Sequence, residues 1–298
     1  MSVPSRATAT DRDLTTRAGF DPDFLGTSVP LPAMSERLAA DAVTFERDGR
    51  ADHELRYEHF SLVLSASRRF ARITAVGIDG RRRLPIDRTR DRWSFDPRIA
   101  RELQVGEGLY LNNALDRGHL VRRQDPDWGD TLAESLRANQ DTFHFTNCTP
   151  QHSAFNQGTD LWHGLEDYIL NNASGHQLRV VVFTAPVLAE EDKVYRDVQI
   201  PRRFWKVVVT RTSDEQLHAT AYILSQEELL DLRAAAPPAD DWIYGGYRTF
   251  QTSVAAIEAL TELDFSPLRE ADPYVPAAGR FGARAEDREL AELTDMVL

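Results

Sequence analysis

Leu115-Asp116-Arg117-Gly118-His119-Leu120-Val121-Arg122-Arg123 is the stretch from which fold and chemistry are read. A histidine stands two residues after an arginine, with a glycine between them that permits a tight backbone turn. Imidazole titrates near neutrality, so His119 is the best candidate for a general base, with Asp116 and Arg117 close enough to set its environment. A structural histidine beside an Asp116–Arg117 pair is the bland alternative, and the stretch alone leaves both open. Further on, Thr146-Asn147-Cys148-Thr149-Pro150-Gln151 runs through Asn156-Gln157-Gly158 to Trp162 and Leu165-Glu166-Asp167. That segment offers a carboxamide and a carboxylate, hard oxygen donors of the kind magnesium favours, leading into a helix. One base, one cation and one metal-ligand set are the minimum for hydrolysing a phosphodiester with water. Asn156 also suits a helix start as a cap, a role that needs no metal.

The chain has 298 residues, enough for one large domain or two small ones. With 42% hydrophobic and 28% charged residues it has material for a core and reads as globular. No window approaches about 18 uninterrupted apolar residues, so no membrane span is expected. Met1 to Phe20 carries arginines and acids without an apolar core, which argues against a secretory signal. Cys148 is the only cysteine, so no intrachain disulfide forms. Together these point to the cytoplasm, although a non-classical export route would leave no mark in the sequence. The net charge of −12 argues at first against nucleic acid, whose backbone is bound by cations. Between Arg68 and Arg123, however, stand 14 arginines, no lysine and 7 acids, a local +7 that leaves −19 for the rest. A cationic groove on an acidic body and a set of solvated strand edges are both consistent with that distribution.

Residues 1–50 read as an N-terminal arm, roughly the first fifteen disordered, with a short helix near Met34–Val43. The arm's apolar residues suggest packing on a body or on a second subunit. Residues 51–270 read as the main domain and 271–298 as a linker with a weak terminal helix. Strands are expected at Phe60–Leu64, Phe70–Ile78, Leu178–Thr184, Phe204–Thr210 and Leu217–Leu224. Phe143 and Phe145 alternate as in a strand that delivers Asn147. Helices are expected at Asp130–Gln140, Asp160–Asn171, Gln226–Ala236, Ser253–Leu263 and Glu286–Val297. Pro267–Gly282 reads as a linker. Without a βαβ rhythm the fold class is α+β with a largely antiparallel sheet.

Asp116-Arg117-Gly118-His119, then Asn147-Cys148-Thr149-Pro150-Gln151, then Asn156-Gln157 and Trp162 with Leu165-Glu166 follow one another as in the DNA/RNA non-specific endonuclease family, which this chain resembles. Tyr57–Val63, Ile73–Gly80, Phe183-Thr184-Ala185-Pro186-Val187 and Ile200-Pro201 with Phe204-Trp205-Lys206 fit too, so the resemblance runs in order from Tyr57 to Leu224. It implies a ββα-metal (His-Me finger) nuclease fold, with a central sheet flanked by helices. It also implies a magnesium-dependent endonuclease that cleaves DNA and RNA without sequence preference, manganese serving as a substitute. In that family pattern His119 deprotonates the attacking water and Asn156 is the only direct protein ligand of one magnesium ion. Glu166 holds one of the ion's waters, Arg117 binds the phosphate, Asp116 orients the loop, and Asn147 positions His119 or the ion's water shell. Arg90, Arg92, Arg122 and Arg123 are the candidate nucleic-acid contacts. A homodimer is a further implication; no membrane partner is expected.

Two departures from the family pattern stand out. Asn156 and Glu166 are ten residues apart where eight is common, roughly 80° off alignment on a helix unless Asn156 sits in the preceding turn. Asp91, flanked by Arg90 and Arg92, stands where an arginine is common, and Ala185 stands where glycine is common. A nucleic-acid-binding module that has lost catalysis is therefore the first alternative. The second is a nuclease effector or toxin held inactive by an inhibitory or regulatory partner, with the arm or acidic tail masking the groove. His144, His152, His163 and His176 are scattered and do not suggest a zinc site. Cys148 points away from Asn147 by strand alternation and reads as a buried thiol, not a nucleophile.

Overall fold

Two buried faces explain why the long strands are nearly continuous apolar runs rather than alternating ones. The computed structural model describes residues 13–87, 92–153, 162–227, 230, 248–274 and 288–289. In chain order the strands used below are β1 (Glu54–Arg56), β2 (Phe60–Leu64), β3 (Ala71–Asp79), β4 (Leu115–His119), β5 (Cys148–His152), β6 (Arg179–Val187), β7 (Arg203–Arg211), β8 (Leu217–Ser225), β9 (Arg248–Thr252) and β10 (Arg288–Glu289). Eight of them form one antiparallel sheet in the order β10-β9-β8-β7-β6-β3-β2-β1, while β4 and β5 make a separate two-stranded ribbon. Helix α1 (Leu132–Asp141) begins at Thr131, whose side chain accepts from the Glu134 amide. Helix α2 is Trp162–Gly175, and α3 (Val254–Thr261) is capped in the same way by Ser253.

One face of the sheet, with Leu62, Leu64, Val76, Ile78, Val182, Phe204 and Val208, packs against Leu165, Ile169, Leu170 and Ala173 of α2. Leu120 and Val121, just past β4, join that cluster and tie the ribbon to the helix. Gly80 lets α2 come this close: a Cβ there would lie 1.8 Å from the Ala173 carbonyl oxygen. The other face, with Val63, Ile73, Val181, Phe183, Trp205 and Val207, is covered by Val254 and Ile257 of α3 and by Phe20, Phe24, Leu25, Val29 and Leu38. From residue 13 onward the N-terminal segment is therefore packed on the body, as its apolar residues suggest. Arg17 is buried with it, its Nε donating to Asp141 Oδ2 at 2.7 Å. No helix among the described residues is long and apolar enough to cross a membrane.

Most expected elements are present within a few residues, and three readings need revision. Phe143 and Phe145 do not form a strand; Phe145–Asn147 is a 3-10 turn and the strand begins at Cys148. Their alternation serves a ring cluster instead, both packing on Trp93 with centroids 5.4 and 5.9 Å away. Pro267–Tyr274 is no free linker, because Leu268 and Tyr274 are buried and the Ala271 carbonyl accepts from Ala219 N. Arg288–Glu289 pairs with β9 as an edge strand where the pattern suggests a helix. Asn156, Arg90, Asp91 and most of the helix read from Gln226 lie outside the described residues.

Candidate active site

The ribbon places the DRGH residues by register: Asp116 opposite Gln151, Arg117 opposite Pro150, Gly118 opposite Thr149 and His119 opposite Cys148. Gly118 lies in strand rather than in a tight turn, so the conformational reading of this glycine is corrected. Its requirement is spatial, since a Cβ would meet Gln151 Cδ at 2.0 Å and Oε1 at 2.1 Å. Pro150 is tolerated because a two-stranded ribbon leaves outer backbone groups without ladder partners. The fully buried Gln226 supplies a partner there: its Nε2 donates to the Pro150 and Pro201 carbonyls while its Oε1 accepts from His152 N.

Arg117 and His119, at i and i+2, share one face of β4. Both meet Trp93: the imidazole centroid is 4.7 Å from the indole and the guanidinium carbon is 5.8 Å from it. Phe143 closes on His119 edge-on at 5.0 Å. The imidazole is thus held between two rings at the end of a strand. Arg117 Nη1 is also 2.5 Å from Glu107 Oε2, a pair about half exposed on the carboxylate side, so this cation already holds an anion.

Asn147 turns out to be a backbone clamp. Fully buried, it accepts from Val121 N at 2.9 Å and donates Nδ2 to the Val121 and Thr142 carbonyls, each at 3.0 Å. Its own carbonyl accepts from Leu120 N. The residues after His119 are therefore fixed by one carboxamide. Cys148 is completely buried; burial pushes its thiol up to about 12, so it stays protonated and is no nucleophile.

On α2, Glu166 Oε1 accepts from Lys206 Nζ at 3.0 Å, and its Oε2 lies 3.8 Å from Arg122 Nε. Arg122 reaches past it to Asp167 Oδ1 at 2.6 Å. Beneath them Asp125 is buried, and desolvation, opposed by Lys206 and Arg122, pushes its carboxyl up to about 7. Lys206 is the functional candidate that the sequence reading passed over. Its visible signal is a lone charge inside Phe204-Trp205-Lys206-Val207-Val208-Val209. A buried ammonium costs several kcal/mol unless paired, so such a residue marks a buried acid.

The other arginines are largely turned inward. Arg68 pairs with Asp192, Arg72 with Asp41 and Arg98 with Asp96. Arg123 donates to the Ile86 carbonyl at 3.0 Å, whereas Arg92 is exposed. Much of the local +7 is thus cross-linking rather than open groove. Among the described residues one His/acid group could gather a metal, Glu58, His59 and Glu134, away from the ribbon. Arg17 and Arg137 face Glu58, Arg82 faces Glu134, and His59 Nε2 sits 3.1 Å from Glu134 Oε1, so an ion-pair network accounts for it. Near the ribbon Glu166 and Asp167 offer carboxylate oxygens and the one thiol is buried and protonated, a set that would suit a hard, hydrated cation with few protein ligands.

A histidine on the first strand of an antiparallel pair, followed by a helix bearing a carboxylate, defines a ββα nuclease unit. The DNA/RNA non-specific endonuclease family matches residues 39–272, and the chain belongs to that family. It is 38% identical over 288 residues to the y4fB protein of Sinorhizobium fredii, covering 93% of this chain and 43% of that one. A nuclease of Nostoc sp. is 28% identical over 55% of this chain and 54% of its own length. Human mitochondrial endonuclease G is 29% identical over 39% of this chain and 40% of its own. The chain therefore spans only about half, or less, of the length of these relatives. The fold matches a crystal structure of EndoG in complex with EndoGI, with a TM-score of 0.54, 18% identity and coverage of 72% of this chain and 85% of the other.

Proposed function

We propose that the chain is a magnesium-dependent endonuclease that hydrolyses phosphodiester bonds in DNA and RNA without sequence preference, manganese substituting. The observation that carries this is the pairing of Arg117 and His119 on one face of β4 against Trp93, with the backbone beyond them clamped by Asn147. His119 takes the proton from the attacking water, and the two rings around it fix the direction from which it does so. Arg117 exchanges Glu107 for the phosphate group, whose two non-bridging oxygens form a bidentate acceptor of the kind a guanidinium favours. Asn156 would be the protein ligand of magnesium, and Glu166 would accept hydrogen bonds from the ion's water shell. When bound, the ion supplies positive charge against the leaving oxygen. Contacts to phosphates position the substrate without reading bases, which accounts for the lack of sequence preference.

The test is cleavage of supercoiled plasmid and of single-stranded RNA with magnesium, with and without chelator. Wild type should cut both substrates only with the metal, and His119→Ala should lose cleavage while keeping DNA binding. Equal behaviour of wild type and His119→Ala, with or without chelator, would end this reading.

A further inference from the structure

One lysine on the helix-lined face of the sheet breaks the pattern of its strand. Phe204 and Val208 turn toward α2, and Lys206 between them does the same by strand alternation. Its ladder neighbours on either side are Thr184 and Tyr222. An ammonium in such a place requires an anion, and α2 brings it Glu166, with Oε1 3.0 Å from Nζ. The helix is pinned to the sheet at the very carboxylate that the nuclease reading uses.

We propose that Lys206 is the positioning residue for Glu166, holding Oε1 so that the carboxylate presents Oε2 toward the reaction. The inference rests on the proposed function. Three features support it. The lysine side chain is 1% exposed and that of Glu166 13%, so the cation stands behind the carboxylate rather than in front of it. Arg122 flanks Oε2 only at 3.8 Å, its closer bond being to Asp167 at 2.6 Å, so the second oxygen is not captured by a guanidinium fork. An ammonium is a point donor that occupies one oxygen, whereas an arginine in its place would take both.

Lys206→Met preserves the volume and removes the charge. With plasmid as substrate, the variant should lose about 10- to 100-fold in kcat and need more magnesium for half-maximal rate, the scale expected when a ligand's outer partner is lost. KM for DNA should not change. Glu166→Gln should show the same signature, and adding Lys206→Met to it should cost less than about threefold more, because both act through one carboxylate. Multiplying losses, or an unchanged magnesium requirement in a folded Lys206→Met, would overturn the assignment. Lys206→Gln, which keeps a donor without the charge, guards against collapse of the buried site; if both variants unfold in circular dichroism, Lys206 is a structural ion partner and the assignment falls. Absence of magnesium-dependent cleavage in wild type would instead refute the nuclease reading itself.

Discussion

Replacing Asn147 by alanine separates two roles that this residue could have: holding the loop after His119, or serving the metal's water shell. The side chain makes three hydrogen bonds, to Val121 N, Val121 O and Thr142 O, in a fully buried position. A hydrogen bond contributes about 1 kcal/mol net, and each buried group left without a partner costs about 1–3 kcal/mol. Some relaxation and water entry will recover part of that, so Asn147→Ala should destabilise the fold by roughly 3–5 kcal/mol. Urea unfolding followed by circular dichroism measures it, read as a shift in midpoint at constant slope. Residual cleavage, assayed where the variant is still folded, should fall because His119 is no longer fixed, while the magnesium needed for half-maximal rate stays as in wild type. A variant within about 0.5 kcal/mol of wild type that needs more magnesium would refute the clamp and return Asn147 to the water shell.

Gly118→Ala should destabilise by about 1–3 kcal/mol through overpacking against Gln151, and the double variant with Gln151→Ala should recover most of that loss in the same urea assay. Asp125→Asn should change how stability depends on pH. The folded carboxyl is raised from 3.8 to about 7, so wild type draws full stability from the protonated form below about pH 4 and loses it as pH rises toward 7. The variant lacks that loss and should gain on wild type by a few kcal/mol between those limits, on the order of 4 at 1.36 kcal/mol per tenfold. Asp127, raised to about 6, keeps part of the downward slope in both proteins.

The family and the paired ribbon were legible because their residues are local signals: Asp116 to His119 and Asn147 each sit in short runs of unusual composition. The sheet was legible too, because Phe204–Thr210 or Leu217–Leu224 can hardly be anything but strand. What escaped were roles set by partners distant in sequence. Gly118 looked like a turn residue because its constraint lies in Gln151, on the other strand. Asn147 stood open between positioning His119 and serving the metal's water shell because its acceptor and donor partners are backbone groups, which carry no residue identity. Lys206 was invisible as a site residue because its meaning depends on Glu166, 40 positions earlier. The arginine concentration misled in a similar way, since Arg68, Arg72 and Arg98 face acids that a local charge count does not connect to them.

Strands β3 and β6 are hydrogen-bonded neighbours whose last matched pair is Asp79 with Arg179. The DRGH ribbon and the helix that bears Glu166 therefore depart from the sheet and come back to it at one point. Closing an excursion of that length has an entropic cost growing as (3/2)RT ln n, roughly 4 kcal/mol, and it must be met before the two central strands can join. That cost falls on the pairing of the two strands themselves, whatever the order in which the excursion folds. Once joined, the strands hold both ends of the excursion, so a backbone cut within it leaves two pieces that stay docked. The same arrangement lets the excursion vary in length without disturbing the sheet register on either side.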